Sequence, residues 1–263
     1  MTAREVRALI RAGEWTGPTA GLAPGFVQAN LVVLPGSLAG DFERFCRANP
    51  RALPLLEVTE PGSPTPARTA PGSDVRLDLP RYRVYRDGRV NEEPTDIMTL
   101  WHADFVAFLI GCSFTFDALL RANGVAVRHL ELGRNVPMYV TNRETVPAGA
   151  FCGPLVVSMR PIRRDDVGRV VELTRDLPLA HGEPIHIGSP KELGISDLQS
   201  PDYGGAVPVR GDEVPAFWAC GVTAQAAAEH SRVLLMITHA PGHMFITDLA
   251  VHAVCPGATG SPA

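Results

Sequence analysis

The sequence is almost free of lysine: Lys191 is the only one, so nearly all of its positive charge comes from arginine. Schiff-base chemistry through a buried lysine therefore has a single candidate. The five cysteines are widely spaced and include no Cys-x-x-Cys pair, which argues against a structural zinc site and against a disulfide framework. Reduced thiols are the simpler interpretation, and they favour a cytoplasmic protein.

Long apolar runs and an excess of basic residues are also missing. No apolar stretch is long enough to form a signal peptide or a membrane-spanning helix. The formal net charge is −4, whereas a general nucleic-acid binder usually presents a basic face. We therefore expect a cytoplasmic protein that binds neither nucleic acid nor a membrane. A homodimer would suit a compact enzyme of this size, but the sequence identifies no interface.

The hydrophobic pattern predicts a chain in which helices and strands are mixed. Helices are predicted at 2–13, 38–48, 96–111, 116–123, 164–175 and 224–230, and strands at 29–34, 53–58, 125–130, 136–141, 155–160, 185–188, 216–219 and 233–237. The pair Asp87-Gly88 predicts a hairpin over 81–90, whose arginines either form a solvated face, the favoured interpretation, or reach acidic partners. The alternation of strands and helices that a doubly wound sheet requires is lost over 131–182. This predicts an α+β insertion between two parts of a main domain, 1–130 and 183–263.

Polar side chains follow two consecutive predicted strands, 216–219 and 233–237. Cys220 and Thr223 come after the first strand, and His239 and His243 come after the second. In parallel α/β sheets, ligands bind beyond the carboxyl ends of the strands, so this region predicts a site. Cys220 is either a nucleophile at a helix N-terminus or, as is more common, a buried thiol.

His239 and His243 are the candidate acid–base residues because imidazole titrates near neutral pH. Asp248 follows them and is the candidate for orienting one ring. The four-residue spacing of the histidines would suit zinc on a helix, but Pro241-Gly242 interrupts any helix between them. No cofactor is therefore predicted. A divalent metal and a purely turn-forming role for both histidines stay open as alternatives.

Arg134 and Arg160 are the candidate ligands for the carboxylates of a small diacid, because guanidinium groups form forked hydrogen bonds with carboxylates. Ion pairing within the predicted insertion is the alternative. The other predicted substrate-binding residues are polar side chains near turns and strand ends: Ser113, Asn135, Tyr139 and Thr223.

Six stretches of the chain resemble one known family. They are GLAPGFVQAN at 21–30, PLLEVTEPG at 54–62, DLPRYRVY at 78–85, GRNVPMY at 133–139, GPLVVSMRP at 153–161 and THAPGHMFITD at 238–248. Together they look like the bacterial "putative hydro-lyase" family, which is homologous to the N-terminal part of mammalian D-glutamate cyclase. The resemblance implies an α/β fold, with a three-layer αβα main domain and a smaller two-layer α+β insertion.

The resemblance also implies carbon–oxygen lyase chemistry on a small acidic metabolite. The mammalian relative converts D-glutamate to 5-oxo-D-proline and water, and its additional C-terminal domain lies outside the resemblance. We therefore expect cyclisation of D-glutamate, with His239 or His243 transferring protons and with Arg134 and Arg160 stabilising the oxyanion. A dehydratase of a small hydroxy acid and a non-catalytic module that binds an acidic metabolite are the alternatives.

Overall fold

Two antiparallel sheets organise the chain in the computed structural model, which describes residues 1–251. The strands are β1 Phe26–Pro35, β2 Leu55–Val58, β3 Tyr82–Arg86, β4 Arg89–Glu92, β5 Phe105–Gly111, β6 Met138–Glu144, β7 Pro154–Arg163, β8 His186–Ile187, β9 Glu213–Ala219, β10 Leu235–His239 and β11 Phe245–Ala250. The α-helices are α1 Ala3–Arg11, α2 Gly36–Ala48, α3 Phe114–Ala122, α4 Arg128–Glu131, α5 Val167–Arg175 and α6 Thr223–His230. Helices and strands are mixed along the chain, which confirms the predicted α/β class; the three-layer arrangement stays a prediction. Cys255 and the tail after Pro256 lie outside the described residues.

The larger sheet has the strand order β2-β5-β1-β10-β3-β4, and β11 pairs with the first half of β1. The smaller sheet has the order β6-β7-β9-β8. Every strand pairing in the described residues is antiparallel. The expectation that 216–219 and 233–237 end side by side in one parallel sheet is therefore wrong: β9 and β10 lie in different sheets. Short apolar runs indicate burial, but they do not specify the partner of a strand or its direction.

The smaller sheet contains strands that precede residue 182, the predicted end of the insertion, and strands that follow it. Strands β6 and β7 lie within 131–182, and β8 and β9 follow that segment. The division of the chain into a main domain and an insertion over 131–182 stays a prediction.

Helix α6 lies between the two sheets. Its Ala224 and Ala227 share a hydrophobic core with Tyr85 and Met236 of the larger sheet. On the other side, α6 packs against β7 of the smaller sheet. Because alanine adds only one methyl group, the helix backbone packs close to β7, while its Gln225 side chain bonds to the Tyr85 hydroxyl of β3 and to the His239 carbonyl of β10.

The predicted hairpin at Asp87-Gly88 is confirmed. Both residues have positive φ, 51° and 72°, as a two-residue type I′ turn requires. A Cβ on Gly88 would lie 2.7 Å from the Cα of Arg232, so glycine is also needed for the close approach of the neighbouring turn. The turn thus fixes the pairing of Arg86 with Arg89 and of Tyr85 with Val90, and the register shifts between Tyr85 and Val84.

Three elements differ from the sequence patterns. The predicted helix over 96–111 is wrong: a 3₁₀ turn at Met98–Leu100 precedes β5, which is buried at every residue. A run buried on both faces has no period that separates a strand from a helix. The predicted strand over 125–130 is also wrong, since this segment leads into α4, and β11 occupies part of the predicted polar loop. Among the described residues, no helix has both the length and the apolar character needed to cross a membrane.

Candidate functional site

A cleft of about 710 Å³ lies between the larger sheet and the loops of the smaller sheet. Its lining comes from four segments: Arg81, Arg83 and Glu93 at the hairpin, Arg134 and Asn135 ahead of β6, Asp202, Tyr203, Gly204 and Gly205 ahead of β9, and Ala240, Pro241 and His243 after β10. The cleft is therefore built from segments far apart in sequence, and most of its lining is polar or charged.

The pairing of β3 with β10 places two arginines at the wall of the cleft. Tyr82 pairs with His239 in the antiparallel register, and the N–H of Ala240 donates to the carbonyl of Arg81 at 2.9 Å. Arg81 and Arg83 are two residues apart, so in extended chain their side chains project from the same face. Both guanidinium groups therefore face the cleft.

The positive charges in the cleft are only partly neutralised. Arg83 pairs with Glu93, with a nitrogen-to-oxygen distance of 2.6 Å. Among residues 1–251, neither Arg81 nor Arg134 has a carboxylate within 4.0 Å. The Nε of Arg81 is buried without a hydrogen-bond partner in that part of the chain, and one Nη of Arg134 donates to the carbonyl of Ala206. Two uncompensated guanidinium groups make the cleft suited to an anion that carries more than one acidic group.

His243 is half-buried at the edge of the cleft, and its ring is held by the backbone. Its Nδ1 lies 3.1 Å from the carbonyl oxygen of Pro241. A carbonyl only accepts, so Nδ1 carries the proton in this bond and Nε2 keeps its lone pair. Burial lowers the pKa of His243, and the positive charge of Arg81 lowers it further, against the carbonyl of Pro241. The ring is therefore neutral at pH 7 and can accept a proton.

The loop that carries His243 depends on Gly242. This residue has φ +85°, and a Cβ on it would lie 2.6 Å from the Nδ2 of Asn135. The Oδ1 of Asn135 is buried without a hydrogen-bond partner among the described residues. The backbone of Gly242 is thus packed directly against the side-chain amide of Asn135, where the loop after β10 meets the segment ahead of β6.

Replacing Gly242 with alanine should lower the free energy of unfolding by about 1–3 kcal/mol, because a left-handed backbone position disfavours a side chain. The clash between the new Cβ and the side chain of Asn135 should lower the free energy of unfolding further and displace the loop that carries His243. Chemical denaturation would measure the change. Gly168→Ala is the matched control, since a Cβ there meets nothing within 4 Å. Equal stability of the two variants would contradict the role assigned to Gly242.

Three predicted site residues meet in the cleft, namely Arg134, Asn135 and His243. His239 does not line it. Its ring is 1% exposed inside the larger sheet, with Nδ1 3.3 Å from the backbone nitrogen of Leu31. Burial lowers the pKa of His239 to about 4. His239 is thus buried inside the sheet, whereas His243 lines the cleft, so the structure favours His243 for proton transfer.

Arg160 and Ser113 belong to a buried cluster instead of the cleft. The guanidinium of Arg160 donates twice to Asp117, at 2.7 and 3.0 Å, and once each to the hydroxyls of Ser158 and Ser113. It also stacks over Phe116, with 4.7 Å from its central carbon to the ring centroid. Every guanidinium nitrogen is used within the protein. Neither Arg160 nor Ser113 lines the cleft, and their contact with substrate stays a prediction.

Asp117 is the acidic centre of this cluster. Burial opposes ionisation of its carboxyl group, but Arg160 and His129 more than offset burial and lower its pKa to about 2. The Nε2 of His129 lies 3.3 Å from the carboxylate. The cluster is a compensated ion pair that joins α3 to β7, and it has a structural role.

The remaining predicted residues also make internal contacts. The hydroxyl of Tyr139 donates to the carbonyl of Leu198 at 2.7 Å. The Oγ1 of Thr223 accepts from the backbone N–H of Val156 at 3.1 Å. Neither side chain lines the cleft. Both hydroxyls are committed to loop and helix attachment, which leaves them unsuited to bind substrate.

Neither Asp248 nor Cys220 lines the cleft. The carboxylate of Asp248 accepts two hydrogen bonds from Arg7, at 2.8 and 3.0 Å, and contacts no histidine among residues 1–251. Asp248 is thus paired with Arg7 of α1, and its role as the orienting carboxylate stays a prediction. Burial raises the pKa of Cys220 to about 11, so its thiol is protonated and the buried alternative is correct.

Sequence patterning missed several residues that line the cleft: Arg81, Arg83, Glu93, Asp202 and Tyr203. The alternating arginines of the hairpin were one signal, but the solvated face was favoured over acidic partners. Arg83 does reach an acid, Glu93. The loop that carries Asp202 and Tyr203 has no periodic pattern from which its position could be inferred. In the described part of the chain, no three His, Cys, Asp or Glu side chains are grouped to hold a metal ion.

Comparisons with known proteins identify close relatives. The profile of a family described as D-glutamate cyclase matches residues 106–248. A protein of Bacillus licheniformis is 58% identical over 245 residues, which cover 93% of this chain and 94% of that protein. A protein of Rubrobacter xylanophilus is 58% identical over 246 residues, covering 94% and 95%, and one of Geobacillus kaustophilus is 57% identical over 249 residues, covering 95% of each.

All three relatives carry the name "putative hydro-lyase". Among solved structures, a nitrogen repressor-like protein of Methanococcus jannaschii aligns with 95% of this chain and 99% of its own, at a TM-score of 0.38 and 10% identity. That similarity is too low to support any statement about fold or function.

Proposed function

The chain belongs to the D-glutamate cyclase family, whose bacterial members are named hydro-lyases, and from this premise we propose that it cyclises D-glutamate to 5-oxo-D-proline with release of water. One observation carries the proposal: Arg81 and Arg134 line a cleft of about 710 Å³ and have no carboxylate partner among residues 1–251. Together with the neutral ring of His243, they provide what a dicarboxylic amino acid requires. No cofactor enters the proposal.

The charges of the cleft match those of glutamate. Each free guanidinium, on Arg81 and Arg134, would bind one carboxylate through charge-assisted hydrogen bonds. The ammonium group of the substrate would lie near Glu93 and Asp202, which also line the cleft. A monocarboxylate would leave one guanidinium unpaired, so the arrangement selects for a diacid.

The reaction joins the substrate amine to its own side-chain carboxyl group. His243 Nε2 accepts a proton from the ammonium group, and the amine then attacks the carboxyl carbon. A carbon–nitrogen bond forms, a carbon–oxygen bond breaks, and the oxygen leaves as water. The nitrogen loses two protons in all and the oxygen gains two, so no proton is consumed. The guanidinium bound to this carboxylate stabilises the negative charge of the tetrahedral intermediate.

Proton NMR of the purified protein with D-glutamate, L-glutamate and buffer alone tests the proposed reaction. We expect 5-oxo-D-proline to form only from the D-isomer. If no product forms with or without added divalent metal, the cyclase proposal is wrong. Loss of water from a small hydroxy acid would then favour a dehydratase, and thermal stabilisation by an acidic ligand without turnover would favour a binding module.

Replacing Arg81 or Arg134 with glutamine should lower kcat/KM for D-glutamate by roughly 10–100-fold, since a hydrogen bond to a charged group contributes about 1.5–3 kcal/mol. Both variants should also bind glutarate, a dicarboxylate that cannot cyclise, more weakly in a titration by NMR. Arg89→Gln is the control, because Arg89 is exposed on the same hairpin and does not line the cleft. Wild-type affinity of both cleft variants would exclude this binding mode.

A further inference from the structure

Tyr203 differs from the other three tyrosines of the chain. The hydroxyls of Tyr82, Tyr85 and Tyr139 each form a hydrogen bond inside the protein, to the carbonyl of Val75, the side chain of Gln225 and the carbonyl of Leu198. The hydroxyl of Tyr203 has no such partner among residues 1–251, although its ring is partly buried and lines the cleft. A phenol group without an internal partner is available to a ligand.

The backbone holds Tyr203 firmly at this position. Its N–H and carbonyl bond to the carbonyl and N–H of Met138, at 3.2 and 2.9 Å, which joins the loop to the edge of the smaller sheet. Immediately after it, Gly204 has φ +77°, and a Cβ there would lie 2.0 Å from the carbonyl oxygen of Val136. Because the loop cannot shift away from β6 without breaking these contacts, the ring is presented to the cleft in one place.

Tyr203 and His243 have different electrostatic neighbours within the same cleft. His243 is influenced by the charges of Arg81 and Glu93, and Tyr203 by those of Arg83, Glu229 and Asp202. Tyr203 lines the cleft from the loop ahead of β9 and His243 from the loop after β10, so an acid and a base carried by different segments can act on two different atoms of one bound substrate.

We propose that Tyr203 is a catalytic residue that donates its phenolic proton to the oxygen that leaves the substrate carboxyl group. This role rests on the proposed cyclisation. The departing oxygen needs two protons to leave as water, and it receives the first from the substrate nitrogen as the tetrahedral intermediate forms. As the carbon–oxygen bond then breaks, the bond electrons move to this oxygen, which takes its second proton from Tyr203. The resulting phenolate regains a proton through solvent in the open cleft, balanced by a proton that the substrate nitrogen gave to His243. No oxidant or further reactant is required.

The protonation state of Tyr203 agrees with this role. Burial raises the pKa of the phenol, and the carboxylate of Glu229 raises it further, against the opposing effect of Arg83. The side chain therefore carries its proton at neutral pH. An acid of high pKa gives up its proton only to a strong base, and an oxygen leaving with the electrons of the broken bond is such a base.

Tyr203→Phe tests the proposal, with Tyr82→Phe as a control that makes the same chemical change outside the cleft. We expect Tyr203→Phe to lower kcat for D-glutamate by about 10²–10⁴-fold, the usual contribution of a general acid. KM and the Kd for glutarate should stay at wild-type values, because the hydroxyl acts on the leaving oxygen and not on the bound carboxylates. Tm should also be unchanged, since no internal hydrogen bond is removed.

Three outcomes would overturn the proposal, and they are distinguishable. Wild-type kcat in Tyr203→Phe would refute the acid role alone and leave the cyclase function standing. A higher KM with unchanged kcat would assign the hydroxyl to substrate binding. If the wild-type protein itself forms no 5-oxo-D-proline, the cyclase function fails and the role of Tyr203 fails with it.

Discussion

Replacing His243 with glutamine is expected to lower kcat/KM for D-glutamate by about 10²–10⁴-fold, the usual contribution of a general base. Glutamine approximates the size of the ring, and its amide can still donate to the carbonyl of Pro241, so the loop should keep its conformation. What is lost is the neutral nitrogen that accepts the proton of the ammonium group. Steady-state kinetics, followed by NMR detection of product, would measure the effect.

The control for this variant is His230→Gln. His230 is exposed at the end of α6 and lies outside the cleft lining. It should turn over D-glutamate at the wild-type rate. If His243→Gln also did so with its fold intact, His243 would have no part in the reaction, and the base would have to be sought elsewhere in the cleft.

The pH profile gives an independent test of His243. Burial and Arg81 lower its pKa, so the folded protein keeps the neutral base to a lower pH than a free imidazole would. The acidic limb of kcat/KM should therefore lie below the ordinary histidine value of about 6.5. Arg81→Gln removes one lowering influence, so in that variant the limb should move towards higher pH.

Replacing Arg160 with methionine is expected to lower the free energy of unfolding by about 3–5 kcal/mol, because it leaves a buried carboxylate without its partner. Asp117 would lose two charge-assisted hydrogen bonds, and Ser113 and Ser158 would each lose one. Denaturant titration would measure the change. Arg169→Met is the control: this arginine pairs with Asp166 on the surface, where a salt bridge contributes about 0–1 kcal/mol.

The pH dependence of that destabilisation has a definite sign. In the wild type, the pKa of Asp117 is lowered to about 2, so its stabilising effect is present above its ordinary value of 3.8 and is lost as pH falls from 3.8 to about 2. Without Arg160, only His129 opposes the effect of burial, so the pKa of Asp117 rises and the ionised carboxylate is less well compensated at neutral pH. The difference in free energy of unfolding between the wild type and Arg160→Met should therefore become smaller as pH falls from about 7 towards 4.

Two buried histidines titrate in the same acid range and must be separated from Asp117. Burial lowers the pKa of His181 and of His239 to about 4. Their stabilising effect is present above about 6.5 and is lost as pH falls from there to about 4. The effect of His239 cancels in the comparison, because Arg160 is not among the groups that shift its pKa. Arg160 does contribute to lowering the pKa of His181, so the variant loses less stability from His181 in acid, which narrows the difference in the same direction. A difference that stays constant with pH would contradict the electrostatic account of Arg160.

The sequence predicted a good part of the candidate site. Arg134, Asn135 and His243 were identified from polar residues in short segments between apolar runs, and the structure brings these three together in one cleft. The hairpin was also predicted, because a two-residue turn with positive φ is encoded by Asp87 and Gly88 alone. Such features depend on a few neighbouring residues and need no knowledge of distant contacts.

What failed was the choice between side chains of the same chemistry. Arg160 lies within β7 and Arg81 immediately precedes β3, and the sequence cannot tell which of the two guanidinium groups lacks a carboxylate partner. The partner of Arg160, Asp117, is 43 residues away in sequence. The guanidinium of Arg160 is occupied by its buried ion pair with Asp117, whereas Arg81, at the hairpin, lines the cleft. In the same way, the register of β10 buries His239 and leaves His243 accessible.

The sequence by itself determined the family, the mix of helices and strands, and the types of side chain available for acid–base work and for binding carboxylates. Only the tertiary structure decided that the strands are antiparallel in two sheets, and that, among residues 1–251, Arg160 is paired with Asp117 while Arg81 and Arg134 in the cleft have no carboxylate within 4.0 Å. The physical reason is that local pattern fixes backbone geometry and burial. Whether a charge is neutralised depends on which groups the fold brings within a few ångströms of it.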